Sequence, residues 1–286
     1  MRMGNSKVLI FSVPVLIFGF ILLYLVLWNA YYSLFNWSQL SPVPKFAGLG
    51  VYAELLGSQL FQTALERTLM WALGLVLVGN AMGLALAALL YFVRNSRLRT
   101  VYLSIFVYPL AVPMAAVGLI SVWLFNVKMG VNVWLAALHL PTPLWLASPQ
   151  TAFPTLFLVT VWVFSGLSAL FYLAAYSNVD QSIIESARVD GASAFTIFRK
   201  LLLPSAKSAS IVSTALLFLF ALRLFALPYV STGLNPYTET IVVNLYFYYI
   251  STFFSSSAAV STVVVVIAMI VIIPYAMYGL KRWISQ

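Results

Sequence analysis

Polar residues in this chain do not alternate with apolar ones. They interrupt long apolar runs, and the charges gather in the gaps between those runs. A helix that crosses a bilayer needs about 20 mostly apolar residues. Segments 8–34, 68–93, 101–125, 153–176, 209–230 and 259–280 meet that need. The second carries no charge, and the fifth is interrupted by Arg223. The pattern predicts an all-α integral membrane protein with six transmembrane helices. One more apolar stretch, TIVVNLYFYYISTFF, is too short to count as a seventh. Its Asn244, Ser251 and Thr252 fit an interfacial or cavity-facing helix.

Composition strengthens this reading. Of 286 residues, 63% are hydrophobic and 7% charged, whereas soluble domains average about 25% charged. So few charges cannot cover a surface facing water. The chain begins with a basic segment and an apolar run, and no charge falls between Lys7 and Lys45. That run exceeds the roughly 7–15 residues of a signal-peptide core, and no small-residue cleavage site follows it. A retained first membrane helix is expected.

The net charge of +9 is distributed by topology. Arg2 and Lys7 precede the first run, and Arg94, Arg97 and Arg99 separate the second from the third. Arg188, Arg199, Lys200 and Lys207 separate the fourth from the fifth, and Lys281 and Arg282 follow the sixth. These eleven basic residues fall on one side, against Lys45, Lys128 and Arg67 on the other. Loops rich in Lys and Arg stay inside. Both termini and the segment 177–208 are therefore expected in the cytoplasm. The Pro- and Gly-rich segments 36–60 and 126–152, together with 231–258, are expected outside.

Several chemistries are missing. No G-x-x-x-x-G-K-[ST] phosphate loop is present, so the chain is not expected to bind ATP itself. Neither H-E-x-x-H nor G-x-S-x-G occurs. There is no cysteine, and the lone His139, near Pro141 and Pro143, cannot build a metal site. The six acids, Glu54, Glu66, Asp180, Glu185, Asp190 and Glu239, are expected in loops or near helix ends. That placement weighs against a proton-coupled carrier, which keeps an acid within the membrane.

The segment 177–208 is far longer than the usual connection of about 2–8 residues between packed helices. Its punctuation predicts structure. DQSIIESARV reads as a short helix with Asp180 at its positive start. Glu185 and Arg188 stand three apart and can pair. Asp190-Gly191 signals a turn. ASAFTIFRKLLL reads as a second helix with Ala194, Ile197, Phe198 and Leu201 on one side, and Pro204 suits the first turn of the next. The expected object is a helix-turn-helix shelf outside the bilayer. It is either a hairpin resting on the membrane surface or a dock for a soluble partner.

The run Glu185, Ala187, Asp190, Gly191, Ala192, then Phe198, Leu203 and Pro204, resembles the E-A-A-x-x-x-G loop of ABC-importer permeases, with Ser186 in place of the first Ala. ERTLMWALGLVLVGNAMGLALAALL and YPLAVPMAAVGLISVWLFNVKMGVNVWL resemble two further spans of that family, with Arg67 where Asn is usual. FALPYVSTGLNPYTET is similar to the matching stretch of MalF-type carbohydrate permeases, with Ala226 where Asp is usual. The resemblance implies a type I importer permease fold. Residues 1–60 would be an N-terminal helix and first outer loop, and 61–286 a permease core with its coupling loop at 177–208. It also implies partners: a second homologous permease, two ATP-binding subunits that hold ATP and Mg, an extracytoplasmic sugar-binding protein, and membrane lipid, but no nucleic acid. No cofactor or metal is expected in this chain, and no catalytic residue. Its role would be to move a sugar by alternating access. A non-sugar solute such as glycerol phosphate, and a carrier working without an ATPase, are the competing readings. Arg223 either snorkels to the outer interface or faces the pathway, with Tyr229 and Asn244 beside it as further donors. A pairing of Arg223 with Glu239 is also open.

The topology is testable because the chain holds no cysteine of its own. Cysteines placed at Ser193 and Ser285 are expected to react with an impermeant maleimide only from the cytoplasmic side, and one at Ser148 only from outside. Labelling of Ser148 and Ser193 from the same side contradicts the six-helix arrangement.

Overall fold

The computed structural model describes residues 5–284; Arg2 and Ser285 lie outside them. The described residues are mostly helical. Among the described residues five helices are long and apolar enough to cross a membrane, and a sixth span exists if a bent pair counts as one. The spans are Asn5–Tyr32, Gln59–Tyr91, the pair Ser96–Ala111 and Met114–Leu124, Ala152–Ser177, Lys207–Thr232, and Phe254–Ile284. The second span begins well before residue 68, so Glu66 lies inside a helix rather than near its end. The first turns of that helix carry Gln59, Gln62 and Glu66, and this polar extension hides its start from a hydropathy reading.

The backbone divides into two compact units. One holds residues 1–62 and 244–267. In it Asn29 Nδ2 donates to Ala258 O at 3.2 Å and to Thr262 Oγ1 at 3.1 Å, which ties the first span to the sixth. After the first span a short antiparallel pair sets Phe35 opposite Phe46 and Asn36 opposite Lys45. Trp37 extends this corner, its N–H donating to Ser255 Oγ at 2.6 Å and its ring 4.9 Å from Phe254. From Val13 onward the apolar side chains of the first span are mostly exposed. Hydrocarbon is as apolar as leucine, so a lipid-facing helix has no need of a buried stripe.

The other unit holds residues 63–243 and 268–286. Its centre is the fourth span, with Thr155, Thr160, Ser165, Gly166, Ser168, Ala169 and Tyr172 among its buried residues. Small side chains let membrane helices approach closely. A Cβ at Gly166 would run into the Phe106 carbonyl oxygen of the third span, and one at Gly83 would run into Ser168.

The continuous helix expected over 101–125 is not what forms. The third span bends by 98° between Ala111 and Met114. A 3-10 turn at Tyr108–Ala111 ends in Val112, whose φ of −79° and ψ of 128° are extended, and Pro113 follows. Proline removes a backbone donor and pushes the residue before it out of the helical region. The fifth span is interrupted too. Its helix stops at Leu222, Arg223 takes φ −97° and ψ 13°, and a short helix resumes at Ala226–Thr232.

The segment 177–208 forms the expected shelf. Its first helix is Gln181–Val189. Gly191 turns the chain with φ +79°. The second helix is shorter than expected: Ala194–Ile197, a π-helical turn at Phe198–Leu202, and a last turn at Leu203–Ser205. Ile184, Ile197 and Leu202 are buried against Ala87, Leu90, Tyr172 and Tyr176. Leu202, four residues after Phe198, is fully buried, whereas Ala194, the first residue of the second helix, is exposed. Glu185 and Arg188 form no ion pair. Both are exposed, where such a pair is worth only about 0–1 kcal/mol.

Close packing around the fourth span gives a direct test. Gly166→Ala is expected to lower stability by about 1–3 kcal/mol or more, because overpacking against backbone finds no room to relax. Gly19→Ala meets nothing within 4 Å and is expected to leave stability unchanged. Thermal unfolding in detergent, followed by fluorescence, separates the two.

Candidate functional site

The shelf presents two kinds of surface. Asp180 caps its first helix, accepting hydrogen bonds from Ser182 N and Ser182 Oγ, both at 2.9 Å. The backbone N–H bond, then the hydroxyl bond, hold the Asp180 carboxyl below its usual pKa. The cap is therefore strongest above the ordinary carboxylate range and weakens as pH falls through that lowered value. Ser193 Oγ accepts from Thr196 N at 3.2 Å and caps the second helix. Of the residues singled out from sequence, Glu185, Asp190, Gly191, Leu203 and Pro204 are exposed. Ala187, Ala192 and Phe198 instead pack against the buried cluster beneath the shelf. Sequence reading missed three apolar side chains on the outer face: Val189, Phe195 and Ile183, with 87%, 69% and 51% of their surface exposed. Their signal was present, since each falls off the buried stripe set by Ile184 and Ile197.

A second feature lies where the two interrupted spans meet. Leu110 and Met114 flank the break in the third span, and Arg223, Leu224, Phe225 and Ala226 form the break in the fifth. Together with Val163, Phe164 and Phe220 they line a cleft of about 310 Å³. Small-molecule sites start at about this size. The Arg223 guanidinium carbon lies 4.6 Å from the Phe220 ring centre. Phe220 stacks on Phe164 at 4.8 Å with 19° between planes. A guanidinium over an aromatic face keeps its charge partly compensated, and its edge stays free to donate hydrogen bonds. Tyr229 does not line the cleft, but its ring stacks at 5.1 Å on Phe225, which does. Asn244 is buried and belongs to the other compact unit.

The residues after the break are anchored by hydroxyls. Thr240 Oγ1 donates to Leu224 O at 2.6 Å, and Ile241 N–H donates to Thr68 Oγ1 at 2.7 Å. Thr232 Oγ1 and Thr238 Oγ1 meet at 2.6 Å. Glu239 is 3% exposed within this anchored segment. A hydroxyl can take up a backbone group that a broken helix leaves without its usual partner, which matters where water is scarce.

Broken spans around a polar-tipped cleft, with a helical shelf packed beneath the fourth span, suit a protein that passes a solute through a membrane. The chain belongs to the family of binding-protein-dependent transport system inner membrane components, whose model matches residues 79–286. It is 45% identical to the glucose import system permease protein GlcT of Saccharolobus solfataricus, over 99% of this chain and all of that one. It is 29% identical to the trehalose/maltose transport system permease protein MalF of Thermococcus litoralis, over 71% of this chain and 69% of that one. Its fold matches a bacterial ABC transporter involved in the import of the acidic polysaccharide alginate, with a TM-score of 0.82 at 20% identity, covering 99% of this chain and 97% of that one.

Replacing Arg223 by Met keeps length and removes the charge. If the guanidinium donates to a solute in the cleft, apparent affinity for that solute is expected to weaken about tenfold or more, the scale of a lost charged hydrogen bond. Expression and membrane assembly are expected to stay. Unchanged transport would assign Arg223 to snorkelling, and lost assembly to a structural contact.

Proposed function

We propose that this chain is one of two permease subunits of an ATP-driven importer for a sugar, with glucose as the first sugar to test. The observation that carries this reading is its end-to-end similarity to a glucose import permease. The cleft supports it chemically. Stacked aromatic rings offer apolar faces to a sugar ring, and Arg223 offers donors to hydroxyls.

In this reading both termini and the shelf face the cytoplasm. Two ATP-binding subunits hold ATP and Mg and dock beneath the two permeases, one on each shelf. On this chain the exposed apolar side chains Val189, Phe195 and Ile183 enter a groove of the ATPase, with the exposed Glu185 and Asp190 as polar neighbours on the first helix and turn and Leu203 and Pro204 exposed on the second. Exposed apolar patches rimmed by polar residues suit such contacts. A second homologous permease completes the pathway, and an extracytoplasmic binding protein delivers the sugar. A match to a bacterial alginate ABC transporter in complex with a pentasaccharide-bound periplasmic protein is consistent with this arrangement, at a TM-score of 0.81 and 20% identity.

Reconstitution of the complete complex tests the proposal: ATP-dependent uptake of radiolabelled glucose into liposomes, with a non-sugar solute such as glycerol phosphate as the competing substrate. Gly191→Leu strains the positive-φ turn, Glu185→Lys reverses a rim charge, and Val189→Asp charges the exposed tip. Each is expected to weaken ATPase association about tenfold, equivalent to about 1.4 kcal/mol of interface. Binding-protein docking on the outer face should persist. Normal transport and complex yield in all of these variants would remove the shelf from the coupling path.

A further inference from the structure

One side chain in the middle of the bundle makes a hydrogen bond in every direction open to it. Asn80 Oδ1 accepts from Tyr172 Oη at 2.7 Å and from Ser168 Oγ at 3.2 Å. Its Nδ2 donates to Val76 O at 2.7 Å and to Thr214 Oγ1 at 3.2 Å. Ser168 Oγ in turn meets Ser213 Oγ at 2.7 Å. A carboxamide offers two donors and one doubly accepting oxygen, and here all are used. The partners lie on three different helices: the second span, the fourth through Ser168 and Tyr172, and the fifth through Ser213 and Thr214.

Two local features bring these groups together. The helix before Asn80 runs as a π turn over Leu75–Gly79, and such bulges re-aim side chains. Gly83, one turn further on, leaves room for Ser168 to approach.

Tyr172 joins this knot to the shelf. Its hydroxyl is on Asn80, while its ring is buried in the same cluster as Ile184, Ile197 and Leu202 of the shelf. At the other end, Thr214 lies eight residues before Leu222, where the fifth helix stops at the cleft. Along a helix that is about 12 Å. A continuous line of contacts thus runs from the shelf through Tyr172 and the half-buried Asn80 to the helix that ends at Leu222, next to Arg223.

We propose that Asn80 is a positioning residue that welds the second, fourth and fifth spans to the shelf, so that shelf and cleft move as one block. This rests on the reading of the shelf as the ATPase dock, but the weld has its own readout. Spin labels at Gln181, exposed at the start of the shelf, and Val212, exposed on the fifth span, report its rigidity in the full reconstituted complex. The wild-type pair is expected to give one narrow distance that is the same with ATP and with ADP. Asn80→Leu should broaden that distribution. Tyr172→Phe removes one hydroxyl, keeps the ring in its cluster and should broaden it less. Thr160→Ala is the control, since that hydroxyl bonds only its own helix at Leu156 O.

Complex yield and ATP hydrolysis should stay near wild type in both variants. Sugar moved per ATP should fall about fivefold in Asn80→Leu, within the range coupling residues command. A wild-type distance that changes with nucleotide overturns the proposal. So does an unbroadened distance in Tyr172→Phe, the variant that decides if Asn80→Leu fails to assemble. A parallel fall of yield, hydrolysis and uptake, with the distance still narrow, assigns Asn80 to folding alone and also overturns it. A wild-type complex without ATP-driven uptake counts against the transport reading, and the spin-label distances still decide the weld.

Discussion

Hydrocarbon offers no hydrogen bonds, so any backbone that leaves the helix within the bilayer must find partners in the protein. This constraint organises the structure. Where the fifth span stops at Leu222, the carbonyl of Leu224 takes a hydroxyl from Thr240, and the returning chain fastens its Ile241 N–H to Thr68. Where the third span bends at Pro113, that residue has no backbone N–H to leave without an acceptor. The two breaks share one cleft, and a membrane protein tolerates irregular backbone where it lines a cavity. The cleft and the broken helices are therefore one feature seen from two sides.

The same scarcity of partners gives polar side chains their force as positioning devices. Helices in lipid have no hydrophobic drive to pack against one another, so small residues and hydroxyls hold them together. The fourth span is built this way, with Gly166 under Phe106 and Ser168 under Gly83, and its Tyr172 reaches both the Asn80 knot and the shelf cluster. The shelf packs by soluble rules. Ile184, Ile197 and Leu202 bury one face, and the opposite face keeps Val189 and Phe195 exposed.

Much of this was legible from local chemistry. Long uncharged runs specify spanning helices because each must satisfy its backbone internally. Asp180, the Asp190-Gly191 turn and Ser193 punctuate the shelf through bonds that reach only a few residues. Those signals are complete within the sequence, so the number of spans, the shelf and its turn could be read without coordinates. The E-A-A-like run added the family, because its residues and spacing recur as a unit.

What the sequence left open depends on atoms far apart along the chain. Pro113 sits in an apolar run that hydropathy scores as continuous, and its 98° bend appears only in the fold. On the shelf Leu202 turned inward, whereas Ala194, at the start of the second helix, stayed exposed. Arg223 gained its aromatic partner Phe220 at the break, and Tyr229 was left outside the cleft lining. Asn80 read as an ordinary polar residue in an oily helix, and its value comes from residues 88, 92 and 134 positions away. Sequence by itself determined which segments enter the membrane and where the chain turns, since burial and capping are local free energies. Tertiary structure alone decided which helices break, which hydroxyls meet and which face of the shelf is free, since those depend on packing between distant segments.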